Sequence, residues 1–215
     1  MGANNLLELN NIENELRRKI LLSHMKNGVI IKNMDTTYIG INVEIAPNVI
    51  IEGNTRIYGN SKIYENTIII DSDLTDSIIN KNTFIYKSVI NKSIIGSNTK
   101  IGPYANIREK CQIFDNVRIG NFVEIKNSSI DDYTKCAHLT YIGDTKCAKN
   151  VNFGCGVVTC NYDGKNKNQT IIEENSFIGS NVNLIAPIII RKNTFIAAGC
   201  NVCRDTNEND FIRRK

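Results

Sequence analysis

The sequence predicts an all-β solenoid, a parallel β-helix of three-sided coils preceded by one α-helix. Between Ile39 and Val202 an aliphatic residue recurs at every sixth position over long runs, and a small or β-branched residue follows most of these four places later. A period of six fits neither a 3.6-residue helix nor two-residue alternation; it fits short strands separated by corners that repeat. Asparagine recurs just before the small position, and asparagine is the residue other than glycine that best tolerates left-handed turn geometry.

The first element is the helix. From about Asn5 to Lys26, Leu9, Ile12, Leu16, Ile20 and Leu21 fall at helical spacing, with Glu8, Glu13 and Glu15 early, Arg17, Arg18 and Lys19 behind them, and Gly28 as a stop. Residues 1–28 are expected to form an amphipathic helix that either caps the open first coil or links it to a further domain. The repeat follows over residues 29–204. Its large inward positions run Ile39, Ile45, Ile51, Ile57, Ile63, Ile69, then Ile79 and Ile85, then Ile95 to Ile125 in sixes, then Cys136, Ile142 and Phe153, and finally Ile172 to Val202 in sixes. Val43, Val49, Thr55, Ser61, Thr67, Thr99, Ala105 and Val117 are among the small inward partners. The slips at 71–77 and 88–93 each add four residues to the count and are expected as bulged corners. Corners are expected at Asn42, Asn48, Asn54, Asn60, Asn66, Asn82, Asn98, Asn116, Asn175, Asn181 and Asn193. Stacking three-sided coils pairs backbone groups above and below and buries a continuous isoleucine column, with room for roughly nine to ten coils. Residues 159–170 break the count and are expected as an extruded loop, and 205–215 as a polar tail.

The 215 residues carry 26 Lys and Arg against 22 Asp and Glu, a formal charge of +4. This mild excess suits phosphorylated small molecules and does not make a nucleic-acid surface. There is no secretory segment or long apolar span, so no membrane insertion and a cytoplasmic location are expected. Of seven cysteines, Cys111, Cys136 and Cys200 occupy inward positions and read as small buried hydrophobes in a reducing compartment. Cys200 and Cys203 are spaced as half a zinc site, but no second pair or nearby histidine completes four ligands, so no metal is expected.

There are two histidines, and His24 belongs to the helix, which leaves His138 as the imidazole of the solenoid. On an outward face it reads as an ordinary surface residue until the loop is considered. About one and a half coils later the chain leaves the prism in a stretch rich in Asn, Tyr, Asp, Gly and Lys, and loops on a rigid scaffold carry function.

Several long motifs outside the repeat occur in order: Gly120-Asn121-Phe122-Val123-Glu124-Ile125-Lys126, His138-Leu139-Thr140-Tyr141-Ile142-Gly143-Asp144, Thr159-Cys160-Asn161-Tyr162-Asp163-Gly164 and Ile196-Ala197-Ala198-Gly199. Through them the chain resembles the acetyltransferase half of the bifunctional N-acetylglucosamine-1-phosphate uridyltransferase/glucosamine-1-phosphate N-acetyltransferases, from the N-terminal helix to about Arg204. The resemblance implies a left-handed, hexapeptide-repeat β-helix, whereas the general rule for parallel crossovers gives the opposite hand. It also implies acetyl transfer from acetyl-CoA, as substrate, to the amine of glucosamine 1-phosphate, on the route to UDP-N-acetylglucosamine and the bacterial envelope. Homotrimers with sites between neighbouring prisms are the implied assembly.

An ammonium cannot attack a thioester, so the reaction needs a base of near-neutral pKa, and imidazole supplies one. His138 is assigned that role. Arg108 and Lys126 lie eighteen residues apart, one ideal coil, and stack on the same side of the prism as a clamp for phosphate. By resemblance Tyr141, Asn152 and Lys167 complete the sugar-phosphate site. Asn161 and Tyr162 are carried over as acetyl-CoA and amine contacts, Ser180 as a donor to the thioester oxygen, and Ala198 as a backbone contact with the pantetheine arm. Lys215 stands where the family places a CoA-contacting arginine. No Gly-rich nucleotide loop corresponds to the uridyltransferase half, so acetyl transfer alone is expected. Two rivals stay open: a hexapeptide acyltransferase with another amino or hydroxyl acceptor, and a non-catalytic trimeric scaffold. A zinc hydratase on this coil would need three imidazoles at its site, and the solenoid has one.

Overall fold

The computed structural model describes residues 2–213. After helix α1 (Leu6–Lys26) the chain winds into a left-handed parallel β-helix with three faces. The first face has eleven strands, from Ile30–Ile31 to Phe211–Ile212; the second has ten, from Tyr38–Ile39 to Asn201–Val202; the third has nine, from Glu44–Ile45 to Ile188–Ile190. Strands pair in parallel with those one coil above and below, so Ile51 faces Ile69 and Ile101 faces Ile119. The sixfold aliphatic positions fill the axis, and Ile51, Ile69, Ile107, Ile125 and Ile178 are fully enclosed. Small inward hydroxyls are buried too, and most find a main-chain partner, as when Thr55 Oγ1 donates to the Glu52 carbonyl at 2.7 Å, with Thr170 Oγ1 an exception.

The two slips are shortened sides, where bulged corners had been expected. Leu74 fills the core between Ile69 and Ile79, and Ile90 between Ile85 and Ile95. A single left-handed residue turns each of these corners, at Asp71, Asp76, Lys87 and Lys92. The serine that follows supplies the missing span, its buried hydroxyl donating back to the preceding strand: Ser72 to the Ile70 carbonyl at 2.7 Å and Ser88 to that of Tyr86 at 2.8 Å.

Asparagines mark the corner between the third and first faces. Asn48, Asn66, Asn82, Asn98, Asn116, Asn175 and Asn193 all have positive φ, and their amides form ladders such as Asn66–Asn82–Asn98, each step 3.2 Å. Asn42, Asn54 and Asn60 depart from the expectation, because Gly53 and Gly59 take the left-handed conformation ahead of the last two and Asn42 does not adopt it.

Helix α1 starts at Asn5, whose side chain accepts from Glu8 N–H at 2.9 Å while Glu8 reaches back to Asn4 N–H at 2.7 Å. It covers the first strands through its C-terminal half, and Leu21 is buried. Arg17 ties it down, donating to the Asp35 carbonyl at 2.7 Å and stacking over Tyr38. Leu9 and Leu16 of the expected apolar stripe remain exposed. The repeat also continues beyond residue 204: Phe211–Ile212 pairs with Phe195–Ile196, where a polar tail had been expected. No described helix is long and apolar enough to cross a membrane.

Candidate active site

The expected site residues divide between the two edges of the second face. At the edge shared with the first face, the core positions Cys136, Phe153, Ile178 and Ile196 stack in register. The residues two places after each, His138, Cys155, Ser180 and Ala198, therefore form a column along the corner, and three coils at about 4.8 Å put its ends about 14 Å apart. His138 ends the strand Lys135–His138 opposite Asn121, and its ring is exposed. Its carbonyl accepts from Thr140 Oγ1 at 2.7 Å, which fixes the backbone at the corner. Beside this column runs a floor of Ala137, Gly154, Gly179 and Ala197. Size is limited there because a Cβ on Gly154 would lie 2.5 Å from the Ser180 nitrogen, and one on Gly179 2.6 Å from that of Ala198. Asn152 projects from the first face in register between Lys135 and Phe177.

At the edge shared with the third face, Asn106 and Ile107 pair with Glu124 and Ile125, which stacks Arg108 beside Lys126 as expected. Arg108 Nη1 pairs with Glu124 Oε1 at 2.9 Å, and that carboxylate holds the guanidinium above its ordinary pKa. Tyr141 is the next coil's counterpart of Glu124. Asn161, buried at 6% exposure, donates its amide to the Asp144 carboxylate and lies 3.5 Å from Tyr141 Oη.

The interruption is an ordered hairpin. Tyr162 and Lys167 form an antiparallel bridge, and the Asn168 N–H donates to the Asn161 carbonyl at 2.7 Å. Asp163 organises the tip, accepting from Lys165 N–H at 2.8 Å, Asn166 N–H at 2.7 Å and Asn168 Nδ2 at 3.0 Å, and these bonds lower its pKa. The hairpin sets the Lys167 ammonium beside that of Lys126. Their apposition depresses the pKa of Lys167, against the opposing pull of Asp144 and Tyr141.

Arg108, Lys126, Tyr141, Asn161 and Lys167 thus come together on one edge, with Tyr162 exposed on the hairpin above them. His138, Ser180 and Ala198 share the other edge, and the strand Tyr141–Gly143 runs from that edge to the cationic one. Lys215 lies outside the described residues. Sequence reasoning missed Cys155, Glu124, Gly143, Asp144 and Asp163 as parts of these clusters. Cys155 was findable, since it follows Phe153 at the offset by which His138 follows Cys136. Among the described residues no group of three or more His, Cys, Asp and Glu side chains is disposed to hold a metal.

Residues 92–127 match the family of bacterial transferase hexapeptide (six repeats). The chain is 48% identical over 212 residues to the bifunctional protein GlmU of Clostridium beijerinckii, covering 98% of this chain and 47% of that protein. It is 45% identical to GlmU of Clostridioides difficile, over 95% of this chain and 45% of that one, and 46% identical to GlmU of Acetivibrio thermocellus, over 97% and 45%. The chain spans about half the length of the curated relatives it matches.

Proposed function

We propose that this chain, similar to the bifunctional GlmU proteins over about half their length and carrying a hexapeptide-repeat match, moves acetyl from acetyl-CoA to the amine of glucosamine 1-phosphate. The product, N-acetylglucosamine 1-phosphate, serves UDP-N-acetylglucosamine and envelope synthesis. The observation that carries the reading is the convergence of Arg108, Lys126, Tyr141 and Asn161 on one edge with the Lys167 hairpin beside them. A cluster of cations there suits a dianionic phosphate. Arg108 adds a planar donor one coil below, and Tyr141 supplies a hydroxyl.

In the proposed reaction His138 takes the proton from the amine as it attacks the thioester carbonyl. Negative charge gathers on the carbonyl oxygen, where the Ser180 hydroxyl donates, and the tetrahedral intermediate collapses with CoA thiol as the leaving group. The column from His138 to Ala198, with its floor of Gly154, Gly179 and Ala197, suits the long pantetheine arm. Asn161 and Tyr162 contact the acetyl donor, and Lys215 its CoA portion. No metal is needed for this chemistry.

The base and the cations belong to opposite edges of one face, so the proposed site is completed between prisms of a homotrimer. The corner beside His138 supports this reading. Tyr104, Phe122 and Leu139 occupy left-handed positions there and are 51%, 58% and 60% exposed. Exposed apolar side chains disfavour an isolated chain, and a neighbouring prism would cover them. Mixing the protein with acetyl-CoA and candidate amines while following thiol release tests the proposal. Release that depends on glucosamine 1-phosphate supports it; release with other acceptors alone, or none, refutes it.

A further inference from the structure

We infer that Asp144 and Gly143 are positioning residues for the sugar-phosphate site: Asp144 clamps both roots of the hairpin so that Lys167 meets Lys126, and Gly143 leaves the space in which Tyr141 and Asn161 converge. The inference rests on the reading of this edge as a phosphate site.

Asp144 sits at φ 49, at the corner where the second face ends. One carboxylate oxygen accepts from Asn127 Nδ2 at 2.5 Å, and the other from the amide of Asn161, where the hairpin begins. Its carbonyl accepts from Thr170 N–H at 3.2 Å, where the hairpin ends, and its own N–H donates to the Lys126 carbonyl at 3.0 Å. Entry, exit and the facing lysine are therefore held by one residue. The titratable groups facing Lys167 are Lys126, Asp144 and Tyr141, and of these Asp144 and Tyr141 favour the ammonium form. At Gly143 an added Cβ would lie 2.5 Å from Tyr141 Oη and 2.7 Å from Asn161 Nδ2. Both are ends of side chains that can move aside, so the chain would still fold while two substrate contacts are displaced.

The test compares wild type with Asp144→Ala, Asp144→Asn and Gly143→Ala in the full chain. Asp144→Ala is expected to speed amide exchange over residues 161–168 about tenfold, to raise the KM for glucosamine 1-phosphate about tenfold and to raise that for acetyl-CoA as well, because Asn161 and Tyr162 stand on the same hairpin. Asp144→Asn keeps the shape but removes the charge and one of the two acceptor oxygens. It is expected to move the midpoint of the alkaline rise of the sugar-phosphate KM to lower pH, whereas loss of a clamp bond alone would raise the KM at every pH without moving that midpoint. Gly143→Ala is expected to raise the KM for both substrates, through Tyr141 and Asn161, with little change in Tm. Unchanged hairpin exchange in Asp144→Ala overturns the inference, and so does faster exchange with unchanged KM. A wild-type protein inactive on glucosamine 1-phosphate refutes the functional reading instead. Exchange and the NMR titration of Lys167 then decide the clamp on their own, normal exchange and an unmoved titration in the Asp144 variants counting against it.

Discussion

Arg108, Lys126 and Lys167 are the cations on which the substrate assignment turns, and His138 is the residue on which the chemistry turns. Removal of the proposed base in His138→Ala should lower kcat about 10²–10⁴-fold. Because the ring is exposed, Tm should hardly move; unchanged kcat in the folded variant would remove the assignment. Buried thiols give a second prediction. Burial pushes Cys136 up to about 12 and raises Cys147 as well. The unfolded chain releases these protons from about pH 9, so the folded state should lose stability as pH rises from there towards 12. Urea titrations of wild type and Cys136→Ala across that range measure the loss, which should be smaller in the variant. At this scale the sequence reveals residues with a chemical signature: the lone solenoid imidazole, and the two cations eighteen residues apart. It does not reveal Asp144 or Gly143, whose importance lies in what their atoms touch across coils and appears only once the hairpin is folded against the prism.

Each side of the coil is an element set by one large inward residue, one small one and a left-handed corner. Deleting a fully enclosed axial side chain, as in Ile107→Ala, should cost about 2–5 kcal/mol by denaturant unfolding, since stacked coils collapse poorly around a cavity. Asn82 stands at φ 57 in the middle of an amide ladder. Asn82→Ala should cost about 1–2 kcal/mol, and Asn82→Gly less, because glycine keeps the left-handed geometry while losing the ladder. The sixfold rhythm was readable because aliphatic residues at the axis have no substitute. The five-residue sides were not, since an aspartate or lysine turns those corners without the asparagine signal and a serine hydroxyl closes the span. The same blindness hid the first corner, where Tyr104, Phe122 and Leu139 replace the turn residues that a lone coil would choose.

For the whole molecule, a solenoid gains stability from coil-on-coil contact, and the proposed site draws its function from a neighbouring prism. Sedimentation should give three chains per particle at assay concentrations, and a monomer with full activity would contradict a site shared between prisms. The chain matches about half of its bifunctional relatives, so one half-reaction is the claim to be tested. The direct measurement is thiol release from acetyl-CoA by the purified protein, with and without glucosamine 1-phosphate and with His138→Ala alongside. Release that requires the sugar phosphate and falls at least about 10²-fold in the variant is the predicted result. No release, or equal release by the variant, would contradict the account.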